Sequence, residues 1–521
     1  MQEMAGKTLV DLLQASVNRA PQAVAVVYND RQLSYAELWR DVIRLSTFFQ
    51  RQGLARGERV ALLMDNCPEF IAAYYATLRA GAAVVALNAA AKAQELLNWL
   101  RHSGARWLIV DAEHSELAAV LRESGDELSV IVVQGEADAL PAATNIFSWA
   151  TLSVNECDGG AVDLDPEDLA AIIYTSGTTG APKGVMLSHR NLYSNVTAIV
   201  SYLELGAEDR VLNVLPFYYS YGNSVLHTHL AVGASIVLEK GMLYPHRIVE
   251  RMSEQRVTGF SGVPSTYALL LSRVRLENYD LSSLRYLTQA GGAMLPEQIQ
   301  RMVEMLPWVR FFVMYGQTEA TARICYLPPE RLMEKLGSVG IPIPGVKVDL
   351  RDARGKPVEV GESGEIYVQG ENLMMGYWRN PDATQQVLIQ GWLKTGDLAC
   401  YDEEGYLYIQ GRNSDIIKTG AYRISPQEIE EIIVELPAVE EVAVIGVPDT
   451  LLGEVVKAVI VICPAASLDK QAVQRHCRDR LPQYKIPKAI EFVAEIPKTA
   501  SGKFKRHVLA KAHHEERDRN D

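Results

Sequence analysis

From residue 33 to residue 238 the chain alternates short β-branched runs with helical patterns, and this rhythm confines it to parallel α/β construction. Leu33-Ser-Tyr-Ala-Glu-Leu opens a helix with Ser34 as its cap. Arg59-Val-Ala-Leu-Leu-Met reads as a buried strand, and Glu69 to Leu78 is helical again. Trp107-Leu-Ile-Val, Val130-Ile-Val-Val, Ala171-Ile-Ile-Tyr and Ser235-Ile-Val-Leu are further core strands. From about Gly337 the texture becomes strands punctuated by Gly and Pro. After Gly411-Arg412-Asn413-Ser414-Asp415, helices beginning near Ser425 and Asp469 mix with strands at Val442–Val447 and Ala458–Ile462. That final segment reads as a small α+β domain.

One stretch demands a membrane test. Between Val211 and Leu238 lie 28 residues without Asp, Glu, Lys or Arg, longer than the ~20 a spanning helix needs. Pro216, Asn213, Tyr218, Tyr219, Ser220, Asn223, His227 and His229 interrupt it, and so many polar groups are costly in hydrocarbon. A buried pocket wall is expected there, and no integral membrane segment. Net charge is −13, which repels a polyphosphate backbone and argues against nucleic acid as a partner. Six scattered cysteines without a C-x-x-C pair fit a reducing, cytoplasmic setting better than a disulfide or zinc framework. The charged N-terminus lacks the apolar core of an export signal.

The most informative segment is YTSGTTGAPKG at 174–184, directly after an expected strand. Its glycines let backbone N–H groups turn around an anion, its hydroxyls donate further bonds, and Lys183 adds a charge. It is a phosphate cradle. It is not a Walker loop, because Lys183 stands between Pro182 and Gly184 rather than before Ser or Thr.

With YGQTEA at 315–320, GWLKTGDLA at 391–399, GRNSDIIKTG at 411–420 and PKTASGKFKR at 497–506, the chain resembles the adenylate-forming (AMP-binding) enzymes. These include acyl-CoA synthetases, aryl-CoA ligases, carrier-protein ligases, nonribosomal adenylation domains and beetle luciferases. The resemblance spans nearly the whole chain. It implies a large N-terminal AMP-binding adenylation domain, residues 1–412, of two α/β subdomains and a β-rich subdomain, followed by a small mobile α+β lid, residues 413–521.

It also implies that a carboxylate attacks the α-phosphate of ATP, expelling pyrophosphate, and that a thiol then displaces AMP. Thr175, Ser176, Gly177, Thr178, Thr179, Gly180 and Lys183 would hold the β- and γ-phosphates. Gly291 and Gly292 would form the small-residue turn beside adenine. Tyr315 would stack on adenine with Gly316 beside it, Thr318 would bond the α-phosphate, and Glu319 would ligate Mg²⁺. Asp397 would accept both ribose hydroxyls, Arg412 would reach ribose and phosphate, and Lys503 would be the mobile catalytic cation. Thr179, Lys183 and Glu319 join Lys503 in the catalytic set. Gly420 and Ala421 would border the thiol tunnel, although many members have a second glycine at the alanine. Ser414 stands at the pivot, where Asp or Lys is common.

By the same resemblance Tyr218, Tyr219, Tyr221, Gly222, Asn223 and Gln317 belong to the carboxylate pocket. Amino-acid-activating relatives place Asp at the position of Tyr218, so an α-amino acid is disfavoured. The window reads as neutral and amphipathic, suited to a fatty, branched or aromatic acid. The expected activity is an ATP-dependent, AMP-forming acid–thiol ligase of acyl-CoA synthetase type, of the kind used in fatty acid metabolism, with ATP, Mg²⁺ and coenzyme A. The alternative loads the phosphopantetheine of an acyl carrier protein, for which Lys485, Lys488, Lys498, Lys503, Lys505 and Arg506 could form a basic docking patch. A non-catalytic descendant would be expected to lose Lys503, Glu319 or Asp397, and all three are present. A luciferase-like oxygenase stays compatible with these motifs.

Overall fold

The computed structural model describes residues 7–124, 128–133, 145–152, 160, 162–175, 183–412, 415, 417–419, 422–449, 453–464, 466–481, 483–498, 504–506 and 508–510. The chain is mixed α/β and divides into two compact units, Met1–Lys347 with Val368–Leu393, and Val348–Tyr367 with Lys394–Asp521. The boundary expected at 412/413 falls inside the second unit, between the strands Leu407–Arg412 and Ile417–Thr419.

Among the described residues the first unit is built on two large sheets. In one, Arg310–Tyr315, Tyr286–Gln289, Gly259–Gly262, Arg210–Asn213, Ser235–Leu238 and Val24–Tyr28 run parallel in that spatial order, with antiparallel strands closing both edges. In the other, Leu169–Thr175, Ala83–Ala86, Arg59–Leu63, Trp107–Val110, Ser129–Val132 and Ile146–Ser148 run parallel, and Lys183–Ser188 returns antiparallel to Leu169–Thr175. The strands are short and buried along their length, as parallel strands covered by helices must be. Ser34 caps the helix Tyr35–Arg51 through a reciprocal capping box with Glu37, as its sequence predicts.

The uncharged stretch resolves into strand Arg210–Asn213, a loop, helix Ser220–Val232 and strand Ser235–Leu238. That helix is buried on every face except at its first residue, which is why it carries no charge. Among the described residues no helix is long and apolar enough to cross a membrane. Within the helix Ser220–Val232, His229 joins the Val225 carbonyl through Nδ1 at 2.7 Å and Tyr286 Oη through Nε2 at 2.6 Å, while His227 Nδ1 meets Tyr75 Oη at 2.9 Å and His227 Nε2 is buried without a partner among the described residues.

The second unit contains most of a five-stranded, mainly antiparallel sheet that includes Gly364–Gln369, Trp392–Tyr401 and Leu407–Arg412. It also contains an α+β segment. There the long hairpin Val439–Asp449 and Gly453–Ile462, the strands Ile417–Thr419, Tyr422–Ile424 and Ala489–Phe492, and the helices Pro426–Val434 and Lys470–Arg478 enclose a core of Ile429, Ile433, Val444, Ile460 and Val473. Asp469 caps the second of these helices by accepting from the Ala472 amide.

Burial depresses three imidazoles of the first unit, His227 to about 3 and His189 and His229 to about 4. Below the ordinary histidine value near 6.5 the unfolded chain takes up protons that the folded chain refuses, so stability falls as pH drops from about 6.5 toward 4, by up to about 1.4 kcal/mol per pH unit for each group. The denaturant midpoint should therefore decline from pH 7 to pH 5, and His227→Phe should flatten that slope even where it lowers the midpoint itself. A slope unchanged in the variant would contradict this origin.

Candidate functional site

The phosphate-cradle segment is anchored by a hairpin. Thr175 ends one strand, Lys183 begins the next, and the two residues face each other in antiparallel register. Thr175 Oγ1 donates a long bond to the Lys183 carbonyl at 3.5 Å. Ser176, Gly177, Thr178, Thr179 and Gly180, which lie between these ends, are outside the described residues. The Lys183 ammonium sits 5.0 Å from the centroid of the Tyr377 ring, and Tyr377 Oη donates to Glu319 Oε1 at 2.9 Å. One tyrosine thus takes the lysine on its face and the carboxylate on its hydroxyl.

The YGQTEA segment leaves the strand Arg310–Tyr315 and folds back sharply. A Cβ on Gly316 would stand 1.9 Å from the Ala322 carbonyl oxygen, so only glycine permits this return. Thr321, at φ 65°, lies in the left-handed region and is fixed by its hydroxyl on the Asn372 carbonyl at 2.7 Å. Asn372 in turn donates to the carbonyls of Ala320 and Arg323. Thr318 Oγ1 donates to Ser220 Oγ at 3.3 Å, which brings the segment to the start of the buried helix. Gln317 Nε2 is buried without a partner among the described residues. Gly291 adopts φ 89° in an exposed turn, and Gln289 Nε2 donates to the Gly292 carbonyl at 2.6 Å.

On the helix side, Tyr218 and Tyr219 are half-buried with ring centroids 4.5 Å apart. Burial pushes both hydroxyls above the ordinary tyrosine value, so they act as neutral donors. Gly222 allows the helix to close on its own entry loop, since a Cβ there would lie 2.2 Å from the Pro216 carbonyl. Tyr221 differs from its two neighbours. It is packed in the core, its hydroxyl is taken by the Thr288 carbonyl at 2.9 Å, and the Arg323 guanidinium covers its ring at 4.2 Å. Asn223 is buried against Tyr74. Of the expected pocket residues, Tyr218, Tyr219 and Gln317 are half-buried, whereas Tyr221, Gly222 and Asn223 are buried.

In the second unit Asp397 and Arg412 face each other across adjacent strands, with Arg412 Nε 3.2 Å from Asp397 Oδ1. Asp397 is buried to 6% exposure and its amide donates to Thr395 Oγ1, so the carboxylate is held rigidly. Ser414, Gly420, Ala421 and Lys503 lie outside the described residues. Of the six residues of the basic patch, three are paired within their own unit: Lys485 with Glu428, Lys498 with Glu441, and Arg506 with Glu430 and Asp415. Three groups escaped the sequence reading, namely Tyr377, Ser220 and Arg323. Each meets its partner across about fifty to two hundred residues of chain, and no local pattern announces such a meeting.

Residues 13–378 match the family described as AMP-binding enzyme, and residues 428–503 match the AMP-binding enzyme C-terminal domain. The chain is 37% identical to a feruloyl-CoA synthase of Amycolatopsis sp, over 93% of this chain and 94% of that one. It is 34% identical to a long-chain-fatty-acid–CoA ligase of Bacillus subtilis (strain 168), over 96% and 94%. Among solved structures it is similar to o-succinylbenzoate coenzyme A synthetase from Bacillus subtilis in complex with ATP and magnesium ion, with TM-score 0.83, 29% identity and coverage of 96% and 98%.

Proposed function

The chain belongs to the AMP-binding enzyme family, and from that premise we propose which of its groups carry out an ATP-dependent, AMP-forming joining of a carboxylic acid to the thiol of coenzyme A. The reading is supported by enzymes of that activity that align with nearly the whole chain, and by the Lys183–Tyr377–Glu319 contact in particular. Tyr377 takes a cation on its ring face and a carboxylate on its hydroxyl, an arrangement suited to a metal-bound polyphosphate. Among the described residues no three His, Cys, Asp or Glu groups gather into a protein-only metal site. Tyr377 engages Oε1 of Glu319 and leaves Oε2 for a hard cation. Such a donor set fits Mg²⁺, which is held by one or two carboxylates together with substrate phosphates. When bound, the ion would neutralise charge on those phosphates.

The substrate carboxylate attacks the α-phosphorus of ATP. A C–O–P bond forms, the bridging P–O bond to the β-phosphate breaks, and pyrophosphate leaves with the bond electrons. Lys183 and the hydroxyls of 175–179 meet the charge building on that leaving group, and Thr318, steadied by Ser220, meets the α-phosphate. Asp397 accepts the ribose hydroxyls with Arg412 behind it. Tyr315 stacks on adenine beside the turn at Gly291 and Gly292. In the second step the thiolate attacks the acyl carbon and AMP departs. Residues 413–521 act as a lid that presents Lys503 for the first step and withdraws it for the second, in which the thiol arm enters beside Gly420 and Ala421.

Coenzyme A is favoured over a carrier protein because the relatives that align with nearly the whole chain are coenzyme A ligases, and three of the six basic-patch residues are already paired with carboxylates of their own unit. Tyr218 stands where amino-acid-activating members of the family place Asp to pair with an α-ammonium, which disfavours amino acids. A cytoplasmic setting is supported by the five described cysteines, all of which are free thiols.

Tyr377→Phe keeps the ring under Lys183 but frees Glu319. It should lower acid-dependent pyrophosphate release about 10–100-fold, with partial recovery at raised Mg²⁺, and full activity at ordinary Mg²⁺ would contradict the bridge. Lys503→Ala should abolish pyrophosphate release yet leave thioester formation from a supplied acyl-adenylate nearly intact, as measured by acyl-CoA product. Equal loss of both steps would remove Lys503 from its assigned role.

A further inference from the structure

Lys183 and Glu319 are both tied to one short stretch of chain, residues 371–378. Toward the strand Lys183–Ser188, the Met375 amide donates to the Met186 carbonyl at 2.9 Å and the Trp378 amide to the Gly184 carbonyl at 2.7 Å. Asn191 Nδ2, near the start of the helix His189–Leu203, donates to the Glu371 carbonyl at 2.8 Å. Toward the YGQTEA turn, the Met374 amide donates to the Glu319 carbonyl at 2.9 Å, and Tyr377 Oη donates to the Glu319 carboxylate. Glu319 is thus fastened to this stretch by its backbone and by its side chain.

Two residues further on, the turn is strained. Thr321 has φ 65° and ψ −61°, and the Ala322 amide donates to the Ala320 carbonyl at 2.8 Å. This is a γ-turn with positive φ, a rare conformation that is sterically disfavoured for a β-branched residue. Such a residue persists only where the surrounding structure over-determines it. Here one side chain, that of Asn372 at 2% exposure, spans the strained position. Its Nδ2 donates to the Ala320 carbonyl at 3.2 Å and to the Arg323 carbonyl at 3.1 Å, and its own carbonyl accepts from Thr321 Oγ1 at 2.7 Å. Asn372 Oδ1 is buried without a partner among the described residues. An amide that leaves its oxygen unsatisfied in the interior is a costly choice for packing alone, so its contribution lies in the two N–H bonds that close the turn.

We propose that Asn372 is a positioning residue for metal-bound ATP: by clamping the strained turn at Thr321 it fixes the Glu319 carboxylate where a divalent cation on the ATP phosphates can use it. This rests on the reading of Glu319 as the Mg²⁺ ligand and adds a supporting residue to it. Without the clamp Thr321 relaxes toward an ordinary backbone conformation and carries Glu319 with it. The metal then loses part of its hold, while contacts to ATP that do not pass through the metal remain.

The test is calorimetric titration of the full-length protein with ATP in the absence of any acid, once at saturating Mg²⁺ and once in EDTA. The ratio of the two affinities is the metal-dependent gain, and a merely structural role would alter both titrations alike and leave the ratio alone. Asn372→Ala should lower that gain about 10-fold and keep the affinity in EDTA within about twofold. Glu319→Gln should lower the gain at least as far, and in that background Asn372→Ala should cost nothing more, because it acts through Glu319. Thr321→Val, which keeps the shape of the side chain and removes only the hydroxyl tie to Asn372, should give a smaller loss of the same kind, and it decides the matter if the alanine variant does not fold. A gain unchanged in these variants, or an Asn372→Ala loss that persists in full beside Glu319→Gln, would overturn the proposal alone. If Glu319→Gln itself left the gain unchanged, the magnesium reading would fall, and the proposal with it.

Discussion

A single tyrosine joins the two large sheets of the first unit at the point where their chemistry meets. Tyr377 belongs to a short strand paired with Lys183–Ser188, and its hydroxyl reaches Glu319, which follows a strand of the other sheet. The Lys183 ammonium rests on its ring. Tyr377 holds the Lys183 ammonium on its ring and the Glu319 carboxylate on its hydroxyl, so that the two charges lie near a common side chain. The neighbouring Trp378 secures the position by donating to the His102 carbonyl at 2.9 Å, with the Arg59 guanidinium over its ring.

The buried helix Ser220–Val232 plays the complementary role. A helix polar at several positions yet enclosed on almost every face is costly unless its polar groups find partners, and Ser224, Thr228 and His229 do so on carbonyls of its own turns. The reward is a rigid wall. Gly222 lets it approach its entry loop and Tyr221 anchors it to Thr288, so Tyr218 and Tyr219 are presented on a fixed scaffold.

Much of the architecture was legible in the sequence because it is encoded locally. The strands at 59, 107, 130, 171 and 235, the Ser34 cap and the Asp469 cap all rest on patterns a few residues long, and each stands within a residue or two of its expected place. The uncharged stretch was correctly read as a buried wall, because its tyrosines, histidines and proline are incompatible with lipid. What escaped was every feature that depends on long-range approach. Tyr221 looked like a pocket residue by its place in the run, but its hydroxyl is claimed by a strand 67 residues away. Lys485, Lys498 and Arg506 of the basic patch looked free in sequence, and their carboxylate partners become visible only when the strand Val439–Asp449 and the helix Pro426–Val434 are in place.

With a net charge of −13 the chain has no general positive field to draw in a nucleotide, so phosphate binding falls to a few concentrated donors. The account stands on the formation of an acyl-adenylate at those donors. The most direct measurement is turnover of an acid whose carboxylate carries ¹⁸O, followed by mass analysis of the nucleotide product. Attack of the carboxylate on the α-phosphorus predicts one ¹⁸O atom transferred into AMP, with unlabelled pyrophosphate. ADP as the product, with the label in inorganic phosphate, or AMP free of label, would contradict it.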